Sequence, residues 1–301
     1  MSRPCLRYNG VTPVPRQRQA TLERRNMAVF GSRTGVAVVE VYGIIGARVR
    51  APVYTRLFDA VARSSRLRAL LLDIDSPGGS ASASEVLYHS LRKVGKTKPV
   101  VAYVRGTGAS GGYYLCCAAS KVVALPTALV GSIGVISVRP VLEQLLGKLG
   151  MQVAVFKGGR LKDMGGFWRS PTDEESMKYQ ELITEIYDNF VAVVAQGRHM
   201  EEGKVREVAT GEVFTARRGQ ALGLVDELGD FDRALELAAE LGETRPNPLW
   251  LRPRRSLADR FMGRASSPAP GMEALAAPLQ RLLAGGIYYL EPSHLLDAGT
   301  E

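Results

Sequence analysis

Histidine is scarce in this sequence, with three in 301 residues, and that scarcity is the first limit on its chemistry. His89 falls inside a helical pattern, His199 at a helix end and His294 in a weakly patterned tail. They sit in no constellation, so a serine or cysteine nucleophile here would need another kind of base. Cysteine is as rare: Cys5, Cys116 and Cys117. An odd count without framework spacing excludes a disulfide scaffold and a zinc site, and no metal or other cofactor is expected. Cys116 and Cys117 lie in an apolar helical run, which suits buried small hydrophobes.

Long hydrophobic runs are also missing. The longest uncharged stretch, Val122 to Val138, has 17 residues and is broken by Pro126, Gly131 and Gly134. That is too short to span a bilayer. The basic N-terminus is followed by no apolar segment, so no secretory signal is expected. The expected location is the cytoplasm or the periphery of a membrane. Acidic residues are nearly absent before Gly35, where Glu23 stands against seven arginines. A second basic knot is Arg252-Pro253-Arg254-Arg255. The net charge of +9 is thus gathered at the ends of a near-neutral body, which suits contact with an anionic membrane surface. No basic-aromatic interleaving or nucleic-acid motif accompanies it, and nucleic acid is not an expected partner.

What remains is an ordinary globular composition, 46% hydrophobic and 23% charged, long enough for one large α/β domain. Residues 1–33 read as a basic arm with little periodicity. Residues 34–243 carry alternating strands and helices, which predicts a mainly parallel sheet covered by helices. Strands are predicted at 36–46, 69–75, 99–104, 121–125 and 152–156. Helices are predicted at 52–66, 83–94, 141–149, 170–196 and 231–241, with short ones near 201–209 and 215–222. Residues 244–301 form an extension, first basic and then amphipathic between Leu275 and Leu290. That patch suits a membrane contact, a docking segment or a cap folded back on the body.

The central stretch is Arg105-Gly106-Thr107-Gly108-Ala109-Ser110-Gly111-Gly112, between a strand and an apolar helical run. A serine at such a junction lies near free N–H groups at a helix start, as a nucleophile requires. The same turn would also serve simply to pack a helix on a sheet. A second glycine loop, Ser76-Pro77-Gly78-Gly79, ends another strand. It lacks the lysine and spacing of a phosphate loop. It suits a backbone oxyanion donor beside an extended peptide. Both loops stand at the C-terminal ends of strands, where open α/β sheets put their sites. A lysine of lowered pKa can serve as base. The candidates are Lys162 and its rival Lys157, in one glycine-flanked loop; either would equally suit a solvated surface.

Five motifs occur in order: Asp75-Ser76-Pro77-Gly78-Gly79, Gly108-Ala109-Ser110-Gly111-Gly112-Tyr113-Tyr114, Thr127 to Val135, Lys157 to Asp163, and Gly211 to Ala216 with Gly223 to Gly229. Over residues 36–240 the chain resembles the SppA signal peptide peptidases, the S49 serine peptidases, in their short single-domain form. The resemblance implies a ClpP/crotonase-like spiral of βαβ units with helical C-terminal elements. It implies Ser110 as nucleophile, Lys162 as general base, and the N–H groups of Gly79 and Gly111 as the oxyanion hole. It further implies a homo-oligomeric ring or dome in which the lysine reaches a neighbour's serine. The substrates implied are signal peptide remnants and other unfolded or membrane-derived peptides. Gly78, Ser132 and Ile133 would then edge an apolar groove that takes an extended peptide as an added strand. A crotonase-like acyl-CoA enzyme and a silent membrane scaffold are the alternatives. The first wants a carboxylate in the glycine loops, and the second sits badly with an intact serine and lysine.

Overall fold

A computed structural model describes residues 34–253 and 288–290. The basic arm and most of the C-terminal extension lie outside the described residues. The chain opens with β1 (Gly35–Tyr42), α1 (Ala51–Arg63), β2 (Leu67–Ser76), β3 (Gly78–Ser80), α2 (Ala81–Gly95) and β4 (Val100–Ala109). It continues with α3 (Gly111–Cys116), β5 (Lys121–Ala124), β6 (Leu129–Gly131), α4 (Glu143–Lys148) and α5 (Asp173–Arg198). Then come α6 (Glu202–Val208), β7 (Val213–Thr215), α7 (Ala216–Ala221), β8 (Glu227–Leu228), α8 (Phe231–Leu241), β9 (Pro248–Trp250) and β10 (Tyr288–Leu290).

The main sheet runs β7-β6-β4-β2-β1-β9, with β5 and β8 branching from β4. Its pairs are parallel except β6 with β7. This is the largely parallel α/β arrangement expected of the ClpP/crotonase fold. Helices cover both faces, so its central strands are buried on both sides and read as near-continuous apolar runs. Val36 and Val38 face α8, with Ala234, Leu235 and Ala238. Ala37, Val39 and Val41 face the larger core under the other helices. Cys116 and Cys117 are wholly buried in that larger core, as their apolar setting predicts.

Local signals explain the elements. Helix α1 starts with a proline in its first turn and buries Tyr54, Phe58 and Val61 at helical spacing. Helix α5 starts on a capping box: the Glu175 N–H donates to Thr172 Oγ1, and the Thr172 N–H donates back to Glu175. Only its second half reaches the core, through Phe190, Val191, Val193 and Val194.

One expected element is absent. Residues 152–156 form no strand, and Val153, Val155 and Phe156 are exposed. A strand exists only where it is paired, and among the described residues these five pair with no other segment. The extension behaves differently at its start and near its end. Its first strand, β9, pairs with β1, and β10 pairs antiparallel with β3. Among the described residues, no helix is long and apolar enough to cross a membrane.

Candidate active site

Strand β4 is the axis of the site. Its first half pairs with β5 and its last residues with β6, where Ala109 lies opposite Gly131. The chain then turns into α3 through Ser110, which has φ 51° and ψ −117°. A residue with a side chain seldom adopts that backbone, and the strain persists only where the surroundings over-determine it. Here they do. The Ser110 N–H donates to the Gly131 carbonyl at 2.8 Å, and the Ser110 carbonyl accepts the Tyr114 N–H at 2.8 Å. In the single chain Ser110 is 1% exposed.

The second glycine loop meets the first. A Cβ on Gly112 would stand 2.6 Å from the Ser76 carbonyl oxygen, so α3 approaches the end of β2 closely only because position 112 has none. Ser76 itself is buried and sets the loop, a role the sequence reading missed. Its hydroxyl donates to the Gly43 carbonyl at 2.7 Å and accepts the Gly78 N–H at 3.2 Å. Below it, the buried carboxylate of Asp73 ties β1, β2 and β4 together. It accepts from the Tyr42 hydroxyl at 2.6 Å and from Arg105 through two nitrogens. Burial and that carboxylate together push the Tyr42 hydroxyl well above its ordinary pKa.

Strand β3 is held along one edge by Ile45. The Ile45 N–H donates to the Gly78 carbonyl at 2.8 Å, and the Ser80 N–H to the Ile45 carbonyl at 2.9 Å. Gly79 lies so near Ile45 that a Cβ would stand 2.0 Å from the Ile45 carbonyl oxygen. Since backbone groups alternate along a strand, the N–H and C=O of Gly79 point to the other edge. On that edge runs β10, with Tyr289 opposite Gly79 and Leu290 opposite Gly78. β10 also passes close to α3.

Ser132 and Ile133 follow β6 directly. Ser132 has φ 49° and donates its N–H to the Glu212 carbonyl at 2.7 Å. Ile133 is wholly buried in the core. Ser110, Gly111, Gly78, Gly79 and Ser132 therefore gather at the C-terminal rim of one sheet.

Among the described residues no hydrogen bond or ion pair joins Lys162 to them. It sits on an exposed loop between α4 and α5. Among the described residues only its backbone is bonded, the N–H donating to the Gly159 carbonyl at 3.2 Å. Its rival Lys157 is occupied by Asp163. Lys98, whose pKa burial lowers, lies at the opposite end of β4, where its amine donates to the Val61 and Ser64 carbonyls closing α1. Of the histidines, His89 is on the surface of α2 beside Glu85, and His199 closes α5 in a left-handed conformation.

The loop carrying Lys162 is nonetheless fixed by charges that the sequence reading missed. Arg169 reaches both Asp163 and Glu175, and Arg160 reaches Glu174. Hydrogen bonds from Arg169 and from the Thr172 N–H hold the Glu175 carboxyl down at a pKa of about 2. The bond from Lys157 lowers that of Asp163. A sequence signal existed for Glu175 alone, as the third residue of a capping box.

Residues 92–245 match the profile of Peptidase family S49. The chain is 37% identical over 220 residues to "Putative protease slr0021" of Synechocystis sp., covering 73% of this chain and 79% of that protein. It is 31% identical over 263 residues to "Serine protease SPPA, chloroplastic" of Arabidopsis thaliana, covering 82% of this chain and 39% of the relative. It is 36% identical over 183 residues to "Protease 4" of Salmonella typhi, covering 60% of this chain and 29% of the relative. The chain thus spans most of the first relative and well under half of the other two.

Proposed function

Because this chain belongs to peptidase family S49, a family of serine peptidases, we propose that it cleaves extended peptides with Ser110 as nucleophile and Lys162 of a neighbouring copy as general base. The observation that carries this reading is the strained Ser110 junction facing the glycine strand Gly78–Gly79. Strain of this kind is retained where a nucleophile must be held in one orientation. The Ser110 hydroxyl attacks the peptide carbonyl while its proton passes to the uncharged Lys162 amine. The N–H groups of Gly79 and Gly111 receive the oxyanion. The lysine then gives its proton to the leaving amine, and water releases the acyl group by the reverse sequence.

Pairing between copies is supported by two features. Lys162 is exposed and its side chain has no partner among the described residues. The segment that carries it is apolar and uncovered: Val141, Leu145, Leu149 and Met151 are each more than half exposed, and Phe156 is 96% exposed. Such a patch marks an association surface, and a second copy both covers it and delivers the lysine. The substrate class follows from the groove. The edge of β3 at Gly79, on which β10 now lies, takes a peptide as an added strand in place of β10, and signal peptide remnants are among the extended peptides that suit it.

Ser110→Ala and Lys162→Ala are each expected to abolish hydrolysis of an unfolded peptide. Mixing the two inactive proteins, with exchange of subunits, should restore a fraction of the activity. Full activity in either variant alone removes that residue from its role. A mixture that stays inactive after exchange moves the dyad into one chain.

A further inference from the structure

Glu175 is a buried carboxylate in a region otherwise open to solvent, its side chain only 3% exposed. Taking a carboxylate out of water is costly unless it is paired and fully hydrogen-bonded. Arg169 supplies the pairing through two nitrogens, with Nη1 donating to Oε2 at 2.8 Å. The Thr172 N–H adds a bond of 2.9 Å. The same guanidinium turns to the loop, where its Nη2 stands 3.2 Å from Asp163 Oδ2. Lys157 takes the other oxygen of Asp163, whose side chain is 8% exposed.

Asp163 is the residue after Lys162. On the other side of Lys162, Arg160 grips Glu174. From α4, Glu143 accepts the N–H and the hydroxyl of Ser170, closing the loop's far end. Both flanks of Lys162 are thereby tied to the first turn of α5, and its own amine has no partner among the described residues. The loop also holds Gly158, Gly159, Gly165 and Gly166, and glycines lend it little stiffness of its own.

We propose that Arg169, anchored by Glu175 and gripping Asp163, is a positioning residue for Lys162 in peptide hydrolysis. The inference rests on the reading of Lys162 as general base. A base accelerates the reaction only within hydrogen-bond reach and in the right pose. A buried, two-pronged pairing fixes a pose in a way that exposed surface pairs do not. There is an electrostatic part as well. Arg169 and Lys157 compensate the carboxylate beside Lys162. Uncompensated, that carboxylate would favour the ammonium form of the lysine, and the reaction needs the amine.

The test is peptide hydrolysis by the full chain as a function of pH, in the variants Lys162→Met, Arg169→Met, Arg169→Lys and Asp163→Asn. Wild-type turnover in Lys162→Met overturns the base assignment itself. With Lys162→Met inactive, Arg169→Met should lose about tenfold or more in kcat, with KM within about twofold. The acidic limb of its rate profile should move to higher pH. The limb of Asp163→Asn should move to lower pH. Arg169→Lys keeps the charge without the fork, so it should restore the limb but not the turnover. Melting temperature and oligomeric state are followed in each variant. If Arg169→Met does not fold, the opposed behaviour of Asp163→Asn and Arg169→Lys decides. Wild-type kcat with unshifted limbs in folded variants overturns the proposal. So does a loss of activity with no limb shift in either direction, which is the mark of a merely structural residue.

Discussion

The N–H of Ser110 donates to the carbonyl of Gly131 at 2.8 Å, which carries the β4–β6 pairing one residue past the strand into the junction with α3. Ser110 stands there at φ 51°, a backbone that costs about 1–3 kcal/mol for a residue with a Cβ. Replacement by alanine keeps the Cβ and the strain. Replacement by glycine releases it. Ser110→Gly should therefore be more stable than Ser110→Ala by about 1 kcal/mol, a rise of about 2–4 °C in melting temperature, with both inactive. Equal melting temperatures would show that the turn stores no strain.

Gly112 is the complementary case. An added methyl would meet the Ser76 carbonyl oxygen at 2.6 Å, and backbone cannot swing away as a side chain can. Gly112→Ala should cost about 1–3 kcal/mol and push α3 off the end of β2. Because α3 carries Gly111 and follows Ser110, kcat should fall by about tenfold or more even where the protein stays folded. Gly203→Ala is the control. Its Cβ would meet nothing within 4 Å on α6, so stability should rise by about 0.5–1 kcal/mol at unchanged activity.

The sheet was legible in the sequence because its strands are doubly buried. Ala69 to Leu72 and Val100 to Val104 read as apolar runs for that reason, and the helix start at Ser170 to Glu175, with its acids in the first turn, announced α5. The rim of the site was legible through its glycines. Three things were not. Strand pairing of residues 288–290 with Gly78–Ser80 joins segments about two hundred residues apart, and no local pattern encodes a partner. Asp163 and Arg169 lie in a charged loop and Glu175 in the first turn of α5, and all three look like a solvated surface until their side chains are seen to converge. The run Gln152 to Phe156 has strand composition but pairs with no strand among the described residues, since composition does not reveal what a segment packs against.

Phe156 tests whether that apolar run belongs to an assembly. At 96% exposure it contributes nothing to the core of its own chain. Phe156→Asp should leave the far-ultraviolet circular dichroism unchanged. It should shift sedimentation to a smaller species and remove most peptide hydrolysis, since Lys162 would no longer be delivered to a neighbour. A variant of wild-type size and activity would detach this patch from both roles.

Acid stability should reveal the Glu175 pairing. The bonds from Arg169 and Thr172 hold its carboxyl at a pKa of about 2, below the ordinary value near 4.3 for the unfolded chain. A depressed folded pKa gives a contribution that is complete above the unfolded value. It is lost as pH falls through the folded one. The stability difference between the wild type and Glu175→Gln should thus be constant above about pH 5 and shrink from about pH 4 towards pH 2. Melting curves of both proteins across that range measure it. A difference that does not vary with pH would mean that the carboxylate's charge is not what stabilises the fold.

Strand β10 gives the sharpest expectation for the groove. It occupies the edge of β3 to which Gly79 turns its N–H, the edge an incoming peptide needs. A tethered strand competes at high effective concentration, so the chain's own residues 288–290 should act as an intramolecular rival of substrate. Removing residues 288–301 should lower KM for an extended apolar peptide several-fold and leave kcat unchanged. A synthetic peptide of residues 285–293 added to the truncated protein should raise KM again in a concentration-dependent way. If truncation leaves KM as it was and the peptide does not inhibit, the substrate strand uses another edge. The oxyanion role of Gly79 would then have to pass to a different donor.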